Sequence, residues 1–393
     1  MGICSICHRE NLDTISGVCT ECIVRNRKSA RQKKKSVKLV IIVLIFAAGL
    51  YGFQYLASTG ILQKSVQDIS EKVSQTTNEI ENKISTVSPI QQPATPALAQ
   101  LYQYALGIVN KDRKDHGLPP VMLSDIGSAQ NHADDELKNN YFSHWNTVGV
   151  KPYVTYTELG GKNDMAENDF YKYSYCPGVI CFQNNFDAYK VIKEGEYEMM
   201  YNDSQSNWGH RDNILEPHHT HVNFGIAYNH ERFYFVEHFE TNLISWQALK
   251  LNGNQLTMNG HYPAGYSLYG MNIFEDPSPK NITSNELDNS SPYNKGFYDQ
   301  GNLVGVAVSR PSDNSIYVEC SPGKIQLVTS DGQKQCVDYT LYDNSGVPNS
   351  IDVVLDLSKW LSQSGSLHTL YVTLIDKNGN QVQATSITLE DLK

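Results

Sequence analysis

Apolar and polar positions follow different periods along the chain, and the changes of period mark its elements. Residues 39–57, "LVIIVLIFAAGLYGFQYLA", form an uncharged, continuously apolar run. About 20 such residues match the thickness of a bilayer core, so a transmembrane helix is predicted over 39–58. Beyond it, Leu62, Val66, Ile69, Val73, Ile80 and Val87 fall on heptad positions. A helical stalk of about 40 Å is expected there, able to self-associate as a coiled coil. A solvated amphipathic spacer fits the same pattern. "SPIQQPATPALA", residues 88–99, is a Pro/Ala/Gln linker, so stalk and linker together take residues 59–97.

From residue 98 the periods mix. Leu101, Ala105, Ile108 and Val109 predict a helix that stops before "HGLPP". A second helix is expected over about 124–140. "HVNFGIAYN" and "FYFVEHFE" alternate as two strands, with "HER" in the turn between them. This α+β segment spans 98–245. Over 246–393, short apolar runs are separated by Asn252-Gly253, Asp331-Gly332 and Asn378-Gly379, each a two-residue hairpin signal. A β-sandwich-like domain of about seven strands is expected.

Charge gives this layout a direction. Residues 1–60 hold nine Lys/Arg against three Asp/Glu, or +6, which leaves −16 of the net −10 for the remainder. Eight of those basic residues lie in the juxtamembrane segment 25–38, "RNRKSARQKKKSVK". A positive flank stays in the cytoplasm, so the reading is a single-pass protein of the cell membrane with its C-terminal domains extracellular. A cleaved signal peptide is the weaker alternative, because its n-region would span 38 residues and four cysteines. The acidic body has nothing with which to release phosphate counterions, so nucleic acid is excluded as a partner.

The cytoplasmic head, residues 1–24, reads "CSICHRENLDTISGVCTEC" from Cys4. Cys4, Cys7, Cys19 and Cys22 make two CxxC pairs. Four thiolates on two turns suit a tetrahedral, structural zinc, whose binding supplies folding energy that so short a segment lacks. "CSICH" also matches c-type haem attachment, which leaves the second pair unexplained. A redox dithiol lacks the βαβ context it needs. Outside the membrane, Cys176 with Cys181 and Cys320 with Cys336 are expected as local disulfides, with free buried thiols as the alternative.

Four histidines cluster in "NWGHRDNILEPHHTHVNFGIAYN", residues 207–229. His210 lies near a helix start, His218 and His219 follow Pro217 in a turn, and His221 opens a strand. Only His210 holds a position suited to a fixed interior site. A metal there needs partners from elsewhere, and "YFSHW" offers His144, "MAEN" offers Glu167 and "YNDSQ" offers Asp203.

These residues carry a likeness. "NKDRKDHGLPPV", "AQNHADDELKNNYFSHW", "AEN" and "GHRDNILEPHHTHVNFGIA" occur in order over about residues 98–240, and that stretch resembles the CAP superfamily. This is the SCP domain of cysteine-rich secretory, antigen five and pathogenesis-related proteins. The resemblance implies an α-β-α sandwich with a central cleft, lined by two histidines and two acids and able to hold zinc or another divalent metal. Carried over, the histidines are His144 and His210 and the first acid is Glu167. The second acid falls at Asp203 in "MYND", where the family pattern is W-x-x-E; Glu198 is the other candidate. His219 stands at a family Phe and Asn223 at a family Gly, so His219 is expected to pack.

Two functions are expected from this. The first is a membrane-anchored extracellular protein that binds lipid, glycan or peptide in the cleft. The alternative is a zinc-dependent cell-surface hydrolase, peptidase-like, using His144, Glu167, Asp203 and His210. Glu167 would then be the base and Asp203 would orient a histidine. Two imidazoles are one ligand short of the usual three at catalytic zinc, so binding is favoured over catalysis.

Overall fold

A computed structural model describes residues 14–15, 18–19, 96–174, 186–294, 298–310, 319–328, 332, 334–343, 347–361 and 365–392. The chain divides into two units, Met1–Ala94 and Thr95–Lys393. In the first, β1 (Thr14–Ile15) and β2 (Val18–Cys19) pair antiparallel, and β2 ends at the first cysteine of the second CxxC pair. Cys4, Cys7, Cys22, the apolar run over 39–58 and the stalk lie outside the described residues, as do Cys176 and Cys181. Among the described residues no helix is long and apolar enough to cross a membrane.

The second unit opens with α1 (Leu98–Asp115), whose Leu101, Ala105 and Val109 recur every four residues and are buried. Next come β3 (Met122–Leu123), α2 (Ser128–Asn139), α3 (Pro152–Glu158) and β4 (Asp164–Tyr173). Then follow α4 (Ala188–Tyr201), α5 (Gly209–Ile214), β5 (His221–Tyr228) and β6 (Arg232–Thr241). The four strands form one sheet in the order β3-β5-β6-β4. Strand alternation gives the sheet two faces. Val222, Phe224, Ile226, Phe233, Phe235 and Phe239 pack against α1, α4 and α5. Ala227, Tyr234 and Val236 pack against Ala129 and Ala133 of α2 on the other face. The result is the three-layer α-β-α arrangement that the resemblance implied. Close approach of α2 to β5 depends on Gly225, where a Cβ would lie 2.0 Å from the Ala129 carbonyl oxygen.

The rest of this unit is β-rich. Its strands are β7 (Ser245–Asn252), β8 (Gln255–His261), β9 (Tyr266–Asp276), β10 (Asn302–Ser309), β11 (Glu319–Ser321) and β12 (Lys324–Val328). They continue with β13 (Lys334–Tyr342), β14 (Ser350–Asp356), β15 (Leu367–Asp376) and β16 (Gln381–Thr388). A short helix, α6 (Ser284–Asn289), falls between β9 and β10. Two sheets result, a seven-stranded one ordered β11-β12-β13-β10-β9-β15-β16 and a three-stranded one ordered β14-β8-β7. Leu256, Met258, Ile351 and Val353 of the small sheet share a core with Ile273, Leu370, Val372 and Leu374 of the large one. The layout is sandwich-like, as expected, with ten strands among the described residues rather than about seven. Gly253 (φ 59°) and Gly379 (φ 89°) occupy the predicted hairpin turns. Cys320 and Cys336 are disulfide-bonded, which ties β11 to β13 across β12.

The β-rich region packs directly on the helical one. The Ser386 N–H of β16 donates to the Asn163 carbonyl at 3.3 Å, and the Thr388 N–H donates to Thr157 Oγ1 at 3.2 Å. Lys151, buried, pairs with Asp276 at 2.7 Å.

Candidate functional site

Strand register assembles the site. On the α2 face of the sheet, Glu167 of β4 stands opposite His238 of β6, and Asp169 stands opposite Val236. Over them α2 lays Ser128, His132 and Glu136, spaced by four and so on one helical face. All six are buried.

Glu167 is the hub. Its Oε2 accepts from His132 Nδ1 at 2.6 Å and from His238 Nε2 at 2.5 Å, and its Oε1 accepts from His144 Nδ1 at 2.6 Å. The Glu167 side chain is 0% exposed. His238 Nδ1 meets the Ser128 hydroxyl at 2.7 Å, and His132 Nε2 meets the Ser143 carbonyl at 3.0 Å. A carbonyl only accepts, so His132 Nε2 must donate. Because Nδ1 also donates, His132 is an imidazolium against a carboxylate. Burial pulls the His132 pKa down, but the charge and hydrogen bond of Glu167 outweigh it and lift it to about 9. Burial also opposes the Glu167 anion, yet the facing histidines, His132 foremost, hold it well below the usual carboxylate range. His144 is raised by the same carboxylate against the same burial. Beside the hub, burial pushes Glu136 well up and Asp169 to about 6, each raised further by the other acids around it.

The second pair comes from the α4–α5 connection. Asp203 Oδ1 accepts from His210 Nδ1 at 2.7 Å, and Asp203 Oδ2 accepts the backbone N–H groups of His210 at 2.9 Å and Arg211 at 3.2 Å. Two left-handed residues, Asn207 (φ 52°) and Trp208 (φ 67°), fold the chain back to make this contact. The short Asp therefore reaches the histidine from within a tight turn. Glu198 instead accepts from Asn202 on its own helix end. His219 is buried, stacks on Phe239 at 5.3 Å and bonds Thr241 Oγ1 through Nδ1 at 3.0 Å. Burial lowers its pKa to about 3, so it is neutral packing.

His144, Glu167 and His210 line one cavity of about 870 Å³. Asp203 stands behind His210, so the four expected residues converge. His132, Glu167 and His238 each bring a ligand-type atom within 4.8 Å of the others, but His132 as an imidazolium has no lone pair for a metal until it gives up a proton. His144 and His210 each spend Nδ1 on a carboxylate, the support that leaves Nε2 of a ligating imidazole as the nitrogen a metal takes.

Residues 106–239 match the family model described as CAP: Cysteine-rich secretory protein family. That stretch is a CAP domain. An extracellular protein containing a SCP domain from Bacillus anthracis str. Ames is 19% identical over 39% of this chain and 45% of its own, with a TM-score of 0.28. The CAP domain of Enterococcal PrgA is 13% identical over 36% of this chain and 60% of its own, with a TM-score of 0.24. The chain thus spans about half the length of these solved structures. No curated protein matches it.

Within the CAP domain, the sequence reading missed His132, His238, Ser128, Glu136 and Asp169. The i, i+4 spacing of Ser128, His132 and Glu136 was a usable signal. His238, a histidine in the apolar run "FYFVEHFE", was another. Their meeting with Glu167 rests on strand register, which spacing alone does not reveal.

Proposed function

We propose that this chain is a single-pass membrane protein that holds its CAP domain outside the cell and binds a ligand in the histidine- and acid-lined cleft without turning it over. Anchorage rests on the apolar run over 39–58 and the basic segment before it. The cytoplasmic head would be a zinc-ribbon-like module closed by Cys4, Cys7, Cys19 and Cys22, and the stalk a site of self-association. One observation carries binding over catalysis. Both oxygens of the buried Glu167 are taken by imidazole N–H groups, and Asp203 is taken by His210 and two backbone amides. A general base needs a lone pair within reach of a substrate proton, and these acids spend theirs on orienting histidines. Glu167 is thus a positioning residue in this account rather than the base.

His144 and His210 on one cavity wall favour the hydrolase as the second reading. A zinc ion bound there would supply Lewis acidity to a polar substrate. The two readings part in one assay. The full-length chain, zinc-loaded and zinc-stripped, is offered a peptide library, and both capture and cleavage are measured. No turnover is expected with or without zinc, and any peptide captured should be released uncleaved and be held less well by His210→Ala. Zinc-dependent cleavage that His210→Ala abolishes would establish the hydrolase instead.

A further inference from the structure

The cleft is not a feature of the CAP domain alone. The 870 Å³ cavity is lined by His144, Glu167 and His210 of the CAP domain together with Tyr298, Gln300 and the β15–β16 hairpin of the β-rich region, and the Tyr298 ring lies 5.4 Å from that of His144. The hairpin contributes Gln381 and Gln383 to this lining. A second cavity of about 510 Å³ shares His144, Ser206 and His210 with the first. The histidine pair therefore stands where two cavities adjoin, with lining residues continuing to either side of it. Such a layout suits a linear ligand that runs across the histidines better than a small molecule seated at one point.

The chemistry of the two arms narrows the class. In the larger arm the β-rich region brings primary amides, Gln300, Gln381 and Gln383, and the CAP domain brings the acids Asp212 and Glu216. In the smaller arm Phe142, 41% exposed, lies 5.6 Å from the Tyr171 ring at 30° between planes. Amides and carboxylates pair with hydroxyl and acetamido groups, and an exposed aromatic face packs against C–H groups. An acyl chain would need a wall of mostly aliphatic side chains. An anionic headgroup or polymer would meet these acids, with no lysine among the described lining residues of either cavity. The single arginine, Arg232, is held against the Tyr173 ring at 5.6 Å and hydrogen-bonds the Tyr171 hydroxyl.

We infer that the composite cleft takes an uncharged glycan strand, with the β15–β16 hairpin selecting it on one side of the histidines and Phe142 seating it on the other. This rests on the binding reading above. It makes the β-rich region part of the ligand site rather than a spacer.

The test titrates the full-length chain with linear N-acetylglucosamine oligomers of two and six units. Vesicles of phosphatidylglycerol and a lysine-rich peptide serve as the other classes. The hexamer should bind about tenfold or more tighter than the dimer, because it alone spans both arms. Gln383→Ala and Phe142→Ala, at opposite arms, should each weaken the hexamer about fivefold or more with melting temperature unchanged. Equal affinity for dimer and hexamer, no hexamer binding, or binding that neither substitution weakens would overturn the inference. Vesicle or peptide capture in place of the hexamer, lost in His210→Ala, would also overturn it while leaving the binding function intact. Capture of no class at all would sink both.

Discussion

Burial sets the charge of the side chains on the CAP sheet, and this gives stability a pH dependence with a definite sign. Asp169 is lifted by burial from its ordinary 3.8 to about 6, Glu237 from 4.5 to about 7, and Asp164 from 3.8 to about 7. Each binds a proton more tightly folded than unfolded, so each loses stabilisation as pH rises through the folded value. His132, lifted from 6.5 to about 9, contributes fully below 6.5 and loses its share as pH rises through about 9. Glu167, held low, works in the opposite sense and only in acid, where its protonation as pH falls breaks the hub. The melting temperature should therefore peak in mild acid and fall steadily toward pH about 9. Glu237→Gln should flatten that fall between about 4.5 and 7; a melting curve that rises over this range would contradict the charge assignment. At this scale Glu167, His144, Asp203 and His210 could be named from motif segments. His238 could not, because a lone histidine in an apolar strand has no visible partner until register pairs it with Glu167.

Helices and local hairpins were readable because their signals are local. The four-residue recurrence of Leu101, Ala105 and Val109 matches the buried face of α1. The β5–β6 pair follows the alternation of its own residues. Non-local pairings were not readable. β10 pairs parallel with β13 and antiparallel with β9, so its two neighbours come from different stretches of sequence, and no turn motif announces that. Two glycines separate packing from propensity. Gly225 sits where a Cβ would strike the backbone of α2, so Gly225→Val should cost about 3 kcal/mol or more by forcing helix and sheet apart. Gly107, in α1, has nothing within 4 Å of a built Cβ, so Gly107→Ala should stabilise by about 0.5–1 kcal/mol. Chemical denaturation of both variants checks the pair, and equal effects would show that α2 does not press on β5 as described.

The whole molecule adds what neither residues nor elements announce. The cavity lining around His144 and His210 includes Tyr298, Gln300 and the β15–β16 hairpin, far along the chain, and the docking of β16 on α3 and β4 brings the hairpin there. A sequence reading that treats the two regions as separate domains therefore sees half the site. All of it is organised around a single buried carboxylate that gathers imidazoles from α2, β6 and the loop before α3. Histidine-selective ¹⁵N NMR of the full-length chain at pH about 8 tests this most directly. Three slowly exchanging imidazole N–H resonances should belong to His132 Nδ1, His144 Nδ1 and His238 Nε2, with both His132 nitrogens protonated, and all three should shift together in Glu167→Gln. Neutral His132, or resonances that respond to Glu167→Gln one at a time or not at all, would contradict the account.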